Sequence, residues 1–224
     1  MERVLAIALF LLFSSSSWSY EVSPIYKEME PSGQLSNSFY EVVNPENRDI
    51  AIEISAFKVK FGPEGESLSD AASNFLILPP QVIIKPNSSQ KFRVRFIPTG
   101  QLSATETYRL VFRELKLRDT LNEQQGSELS MLVNFSTLVF VSPNNSKPTP
   151  NVSLDKGKLI VSNNGNRVLN MSQLSFEITK DGKKEQITWR DVNSNTSAYL
   201  LPGSKTSYVL PPSLSNASNA AISK

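Results

Sequence analysis

The chain has 224 residues, 39% of them hydrophobic and 20% charged, with a formal net charge of +2. This composition is globular, and no basic tract with interleaved aromatics marks a nucleic-acid surface. It contains no Cys and no His. Disulfides, thiol nucleophiles and nearly all zinc or haem sites are thereby excluded, and the commonest general base at neutral pH is missing. No catalytic residue, metal or cofactor is assigned.

Arg3 followed by the apolar residues 4–13 reads as the start of a secretory signal, too short to span a bilayer comfortably. Ser17 and Ser19 supply small side chains at the −3 and −1 positions of a cleavage site before Tyr20. Residues 1–19 are therefore expected to be a signal peptide. An exported chain of this size without Cys must hold itself together by core burial alone.

Past the leader the texture is β throughout. Alternating apolar and polar residues predict strands over 38–43, 50–59, 81–84, 91–97 and 106–115, with turn formers between them at 31–33, 44–45, 62–65, 86–87 and 98–100. Pro79-Pro80 marks a corner after the apolar run 75–78, although any given X-Pro bond is usually trans. Residues 129–141 form the most informative strand. Leu129, Met131, Val133 and Phe135 share one side, while Ser130, Leu132, Asn134 and Ser136 make the other more polar. Such an apolar row, reached through a polar loop, can fill its own core or be offered to another chain.

Three prolines within 143–150 end the first β region. Shorter strands are expected at 152–154, 158–161, 173–178, 185–189, 198–201 and 207–210, with tight hairpin turns at 163–166 and 180–183 and a fraying tail over 213–224. The pattern implies an all-β chain of two consecutive sandwiches, 20–143 and 151–224, joined by a linker over 144–150. No internal repeat stands out.

Two carboxylate pairs, Glu28 with Glu30 and Glu64 with Glu66, lie near turns without a nucleophile or metal ligand and read as solvated surface groups. Lys91, Arg93 and Arg95 alternate with Phe92, Val94 and Phe96, so one face of that strand carries three cations in a row. Either this is a charged face that keeps the strand soluble, or one guanidinium receives a carboxylate. The carboxylate could be internal, from Glu106 or Glu114, or the C-terminus of a bound polypeptide.

The order of these pieces resembles the periplasmic chaperones of the chaperone–usher pilus pathway, the PapD-like family, with spacing closest to its archaic branch. The resemblance rests on Ser23-Pro24-Ile25-Tyr26, Glu30-Pro31-Ser32-Gly33, Val43-Asn44-Pro45, Leu78-Pro79-Pro80, residues 90–95, Glu106-Thr107-Tyr108-Arg109-Leu110 and the strand ending at Val141-Ser142-Pro143. Residues 157–165 and 200–203 carry it more weakly into the second half. It implies two immunoglobulin-like sandwiches set at an angle and a non-enzymatic periplasmic protein. Such a protein stabilises pilin or fimbrial subunits by donor-strand complementation and delivers them to an outer-membrane usher.

In that resemblance Leu129, Met131, Val133 and Phe135 enter the subunit's groove. Members outside the archaic branch anchor the subunit's C-terminal carboxylate with two cations, on the first strand and on the donor strand, whereas archaic members have moved that anchor. The matching positions here are Leu138 and Glu28, or Lys27 with a one-residue shift, so the pair is absent or displaced. Arg93 leads the substitutes, followed by Lys27, Lys91 and Arg95; an ion pair of Arg93 with Glu106 is the competing assignment. Self-association of the free chain stays open. A structural or adhesive fibre subunit is the alternative, disfavoured because strand pattern begins almost at the cleavage site.

Overall fold

The computed structural model describes residues 19–117, 132–192 and 197–223. The expected leader, except for Ser19, and most of the loop before the apolar strand lie outside them. The described chain is built of strands, apart from short helical turns and one four-residue helix, α1 (Trp189–Val192).

Ten strands make the first sandwich. They are β1 (Glu21–Ser23), β2 (Tyr26–Met29), β3 (Asn37–Asn44), β4 (Ile50–Gly62), β5 (Gly65–Asp70), β6 (Phe75–Leu78), β7 (Gln81–Ile84), β8 (Ser88–Phe96), β9 (Glu106–Leu115) and β10 (Asn134–Val141). One sheet runs β1-β3-β8-β6; the other runs β2-β10-β9-β4-β5, with β7 also on β4. Period-two patterning decides which side chains turn inward. On β8, Phe92, Val94 and Phe96 are buried while Lys91, Arg93 and Arg95 are exposed. On β9 the buried row is Tyr108, Leu110, Phe112 and, unexpectedly for a charged residue, Glu114.

The N-terminal stretch belongs to both sheets. β1 pairs antiparallel with β3, the chain then crosses at Pro24, and β2 pairs parallel with β10 over Leu138–Val141. The peptide bonds before Pro24 and Pro79 are cis.

The second half has its own core around Leu159, Val161, Phe176, Ile178 and Tyr208. Its sheets are β11 (Pro150–Asp155), β12 (Lys158–Asn163) and β17 (Lys205–Val209); β13 (Leu169–Asn170) with β16 (Tyr199–Leu200); and β14 (Ser175–Lys180) between β15 (Lys183–Thr188) and β18 (Asn219–Ser223). The tail expected to fray is instead ordered into β18, because it pairs with β14 and packs Ala220 and Ile222 against the core. The hairpin expected at 180–183 forms between β14 and β15, with Asp181 and Gly182 at positive φ.

The hairpin expected at 163–166 does not form, since β12 pairs only with β11 and β17. Asn163 instead wraps a corner. Its side-chain oxygen accepts from the amides of Gly165 and Thr149, and its amide nitrogen donates to the carbonyls of Arg167 and Leu200. Gly165 is required there because a Cβ would lie 2.3 Å from the Lys147 carbonyl oxygen.

The same corner occurs in the first sandwich. Asn44 accepts from the Glu46 amide and donates to the Arg48, Ile84 and Lys85 carbonyls. The segments Asn44-Pro-Glu-Asn-Arg48 and Asn163-Asn-Gly-Asn-Arg167 are thus a short internal repeat that sequence reading missed. In both, the arginine four residues on holds two carboxylates: Arg48 holds Glu46 and Glu114, and Arg167 holds Glu28 and Glu30.

Candidate functional site

The strand carrying the expected apolar row begins its ladder at Asn134 and pairs along its whole length with β9. On its other side β2 covers only Leu138–Val141. The Leu138 amide donates to the Ile25 carbonyl and the Ser142 amide to the Met29 carbonyl, so even-numbered residues turn their backbone groups toward that side. Because the direction alternates, Asn134 and Ser136 present both N–H and C=O at an edge that no described strand fills. A row of unpaired backbone groups is a template for a further strand.

Side chains alternate with the same period. Thr137, Val139 and Val141 are buried in the first core, and Val133 and Phe135 continue that row, half-buried against it. The row is therefore less exposed than a freely offered one, because it prolongs the sandwich's own interior. Leu129 and Met131 lie outside the described residues. On the opposite side Leu132 is 42% exposed and Asn134 and Ser136 are exposed.

Tyr20 closes the root of this edge. Its ring meets Phe135 edge-on with centroids 4.8 Å apart, and its hydroxyl donates to the carbonyls of Phe112 (2.8 Å) and Val133 (2.9 Å). Burial pushes the phenol up to about 12, so it stays a donor at neutral pH.

Of the four cations considered for a carboxylate anchor, only Lys27 neighbours this strand, opposite Val139. Lys27 makes no ion pair among the described residues. Lys91, Arg93 and Arg95 line the outer face of the other sheet, interleaved across strands with the exposed Phe39, Leu76 and Leu78. Arg93 donates to the Asn37 side chain at 3.2 Å. The ion pair of Arg93 with Glu106 is corrected by the structure, because β8 and β9 lie in different sheets. Glu106 instead pairs with Lys58 at 2.6 Å and accepts the Tyr108 hydroxyl.

Sequence reading missed Arg109. It grips Glu66 with two nitrogens (2.8 and 2.6 Å) and reaches the Ser136 hydroxyl at 3.4 Å, which places a cation beside the open edge. Its alternation with Tyr108 was visible; its partner 43 positions away was not. Arg167 was also missed. With Tyr26 and Phe140 stacked on Tyr199, it ties β2 and β10 to the second sandwich.

Burial raises the Glu106 carboxyl, but hydrogen bonds from Lys58 and Tyr108 outweigh it and leave the group below its ordinary 4.5. The Arg109 hydrogen bonds likewise lower Glu66. A depressed carboxyl contributes stability above its unfolded value and loses it as pH falls through the folded value. A Glu66→Gln/Glu106→Gln variant should thus lose less stability than the parent between about pH 5 and about pH 3, measured by urea midpoints.

No family model matches the sequence, and no curated protein matches it. Solved structures do. The class 5 fimbriae chaperone CfaA superposes with a TM-score of 0.59 at 18% identity, over 84% of each chain. A chain of the Salmonella enterica SafA pilin complex with the SafB chaperone matches at 0.56 and 15%, over 94% of this chain and 98% of that one. A chain of the CsuC–CsuE chaperone–tip adhesion subunit complex, from the archaic Csu pili of Acinetobacter baumannii, matches at 0.52 and 16%, over 86% and 91%. With two β-sandwich units in this order and matches that span most of both chains, the protein has the fold of these fimbrial chaperones.

Proposed function

We propose that the protein is a periplasmic assembly chaperone that completes unfinished fimbrial subunits with the open edge of β10 and passes them to an outer-membrane usher. The observation that carries this reading is the edge of Asn134 and Ser136, which no described strand pairs on the side away from β9, continuous with the apolar row that ends at Val133 and Phe135. The incoming strand would gain main-chain hydrogen bonds there, and Leu129, Met131, Val133 and Phe135 would supply the side chains that fill its groove. The work is binding and involves no bond chemistry. In this reading residues 1–19 are the leader, 20–143 and 151–224 the two domains, and 144–150 their linker.

Lys27 is the proposed anchor for a subunit's C-terminal carboxylate, since Lys91, Arg93 and Arg95 sit on the sheet that lacks β10. Structures sharing this fold include complexes of a chaperone with a pilin and with a tip adhesion subunit, which supports a partner of that class.

Co-expression of the chain with an exported pilin-type subunit lacking its last strand tests the proposal. A soluble one-to-one complex is expected on purification. A subunit that aggregates equally with and without the chain would refute it.

A further inference from the structure

The alternation of β9 places residue 114 on the core side, after Tyr108, Leu110 and Phe112, where a hydrophobe is expected. The residue is Glu114, only 2% exposed. Burying a carboxylate is costly even when it is paired, and a well-packed apolar residue often serves stability as well or better. Something other than stability has to account for it.

Its contacts are specific. The Glu114 amide donates to the Val133 carbonyl at 3.3 Å. A closed antiparallel pair would return that bond from the Val133 amide to the Glu114 carbonyl. Here the Val133 amide donates to the side-chain carboxylate instead, to Oε2 at 3.2 Å. The side chain has taken a place in the ladder at the outermost described pair of the β9–β10 hairpin. The other oxygen, Oε1, lies 2.7 Å from Arg48 Nη2, in a contact of charges rather than an aligned hydrogen bond. Arg48 is itself held, because the Asn44 side chain donates to its carbonyl.

The geometry points to Glu114 as a positioning residue: pinned by Arg48, it fixes the place and the register at which the offered strand leaves the sheet. Register matters because a one-residue slip would exchange the faces. Leu132 and Asn134 would then point where Val133 and Phe135 now point. This assignment rests on β10 being the strand given to a subunit.

Three chains separate the two ideas: the parent, Glu114→Leu and Glu114→Gln. Leucine suits the buried site and leaves Arg48, half exposed, free to take up water, so the fold is expected to persist. In Glu114→Leu, hydrogen exchange at the Val133 amide should rise at least about tenfold while the Leu110 and Phe112 amides stay protected. Subunit capture should fall about tenfold or more. Glu114→Gln keeps an oxygen for the Val133 amide and should restore most of both. Unchanged Val133 exchange in Glu114→Leu overturns the assignment, as does faster exchange with full capture. A parent chain that captures no subunit overturns the strand-donation reading instead, and the exchange measurement still decides whether Glu114 holds Val133.

Discussion

Ser136→Pro should sharply weaken capture of a subunit while leaving the free chain folded. In the middle of a sheet a proline removes a ladder hydrogen bond, but at an edge whose N–H faces outward it removes none. The Ser136 amide points away from β9, as the direction of the Leu138 and Ser142 amides on the same strand establishes. An arriving strand would find no donor at that position and would meet the ring's Cδ. A carbonyl left buried and unpaired costs about 1–3 kcal/mol before any steric clash, and the two together should weaken capture by about two orders of magnitude.

Two further variants sharpen the test. Ser136→Ala removes only the hydroxyl that Arg109 touches and should bind normally. Thr137→Pro removes an amide that faces β9 at a buried position and should destabilise the free chain itself. If Ser136→Pro still co-purified with subunit at the parental level, added-strand pairing at this edge would be wrong.

Asn44→Ala should strongly destabilise the first sandwich. Asn44 is fully buried, and its side chain supplies hydrogen bonds to the carbonyls of Arg48, Ile84 and Lys85 and accepts one from the Glu46 amide. Alanine cannot replace these bonds, and water cannot reach all the groups left behind. At about 1–3 kcal/mol for each buried group left unsatisfied, the loss is about 4 kcal/mol, a large share of a typical domain's total stability.

Asn163→Ala should do the same to the second sandwich. Trp189, the one tryptophan after Trp18, packs against the second core and distinguishes the two. In urea its fluorescence should shift to a lower midpoint for Asn163→Ala, whereas the far-ultraviolet signal should register the loss in Asn44→Ala. An Asn44→Ala midpoint corresponding to a loss under about 1 kcal/mol would show that the corner is held by other means.

Much of the architecture was legible because strand patterning is local. The alternation on β8 assigns Phe92, Val94 and Phe96 to the core and Lys91, Arg93 and Arg95 to solvent without reference to any other residue. The ends were less legible. Nothing in Asn219–Ser223 marks a strand until β14 is beside it. The two asparagine corners repeat too little sequence to be noticed, yet their hydrogen bonds match almost one for one.

The amino-acid order alone determined an all-β chain in two sandwiches and the apolar row of Val133 and Phe135, because side-chain direction along a strand depends only on parity. Which cation meets which carboxylate was decided in three dimensions: Glu106 found Lys58, Glu66 found Arg109 and Glu114 found Arg48, each across tens of residues. The open edge was decided there too. Whether Asn134 and Ser136 keep their backbone groups unpaired depends on how far β2 reaches along β10, and pairing between strands so distant in the chain leaves no local trace in either one.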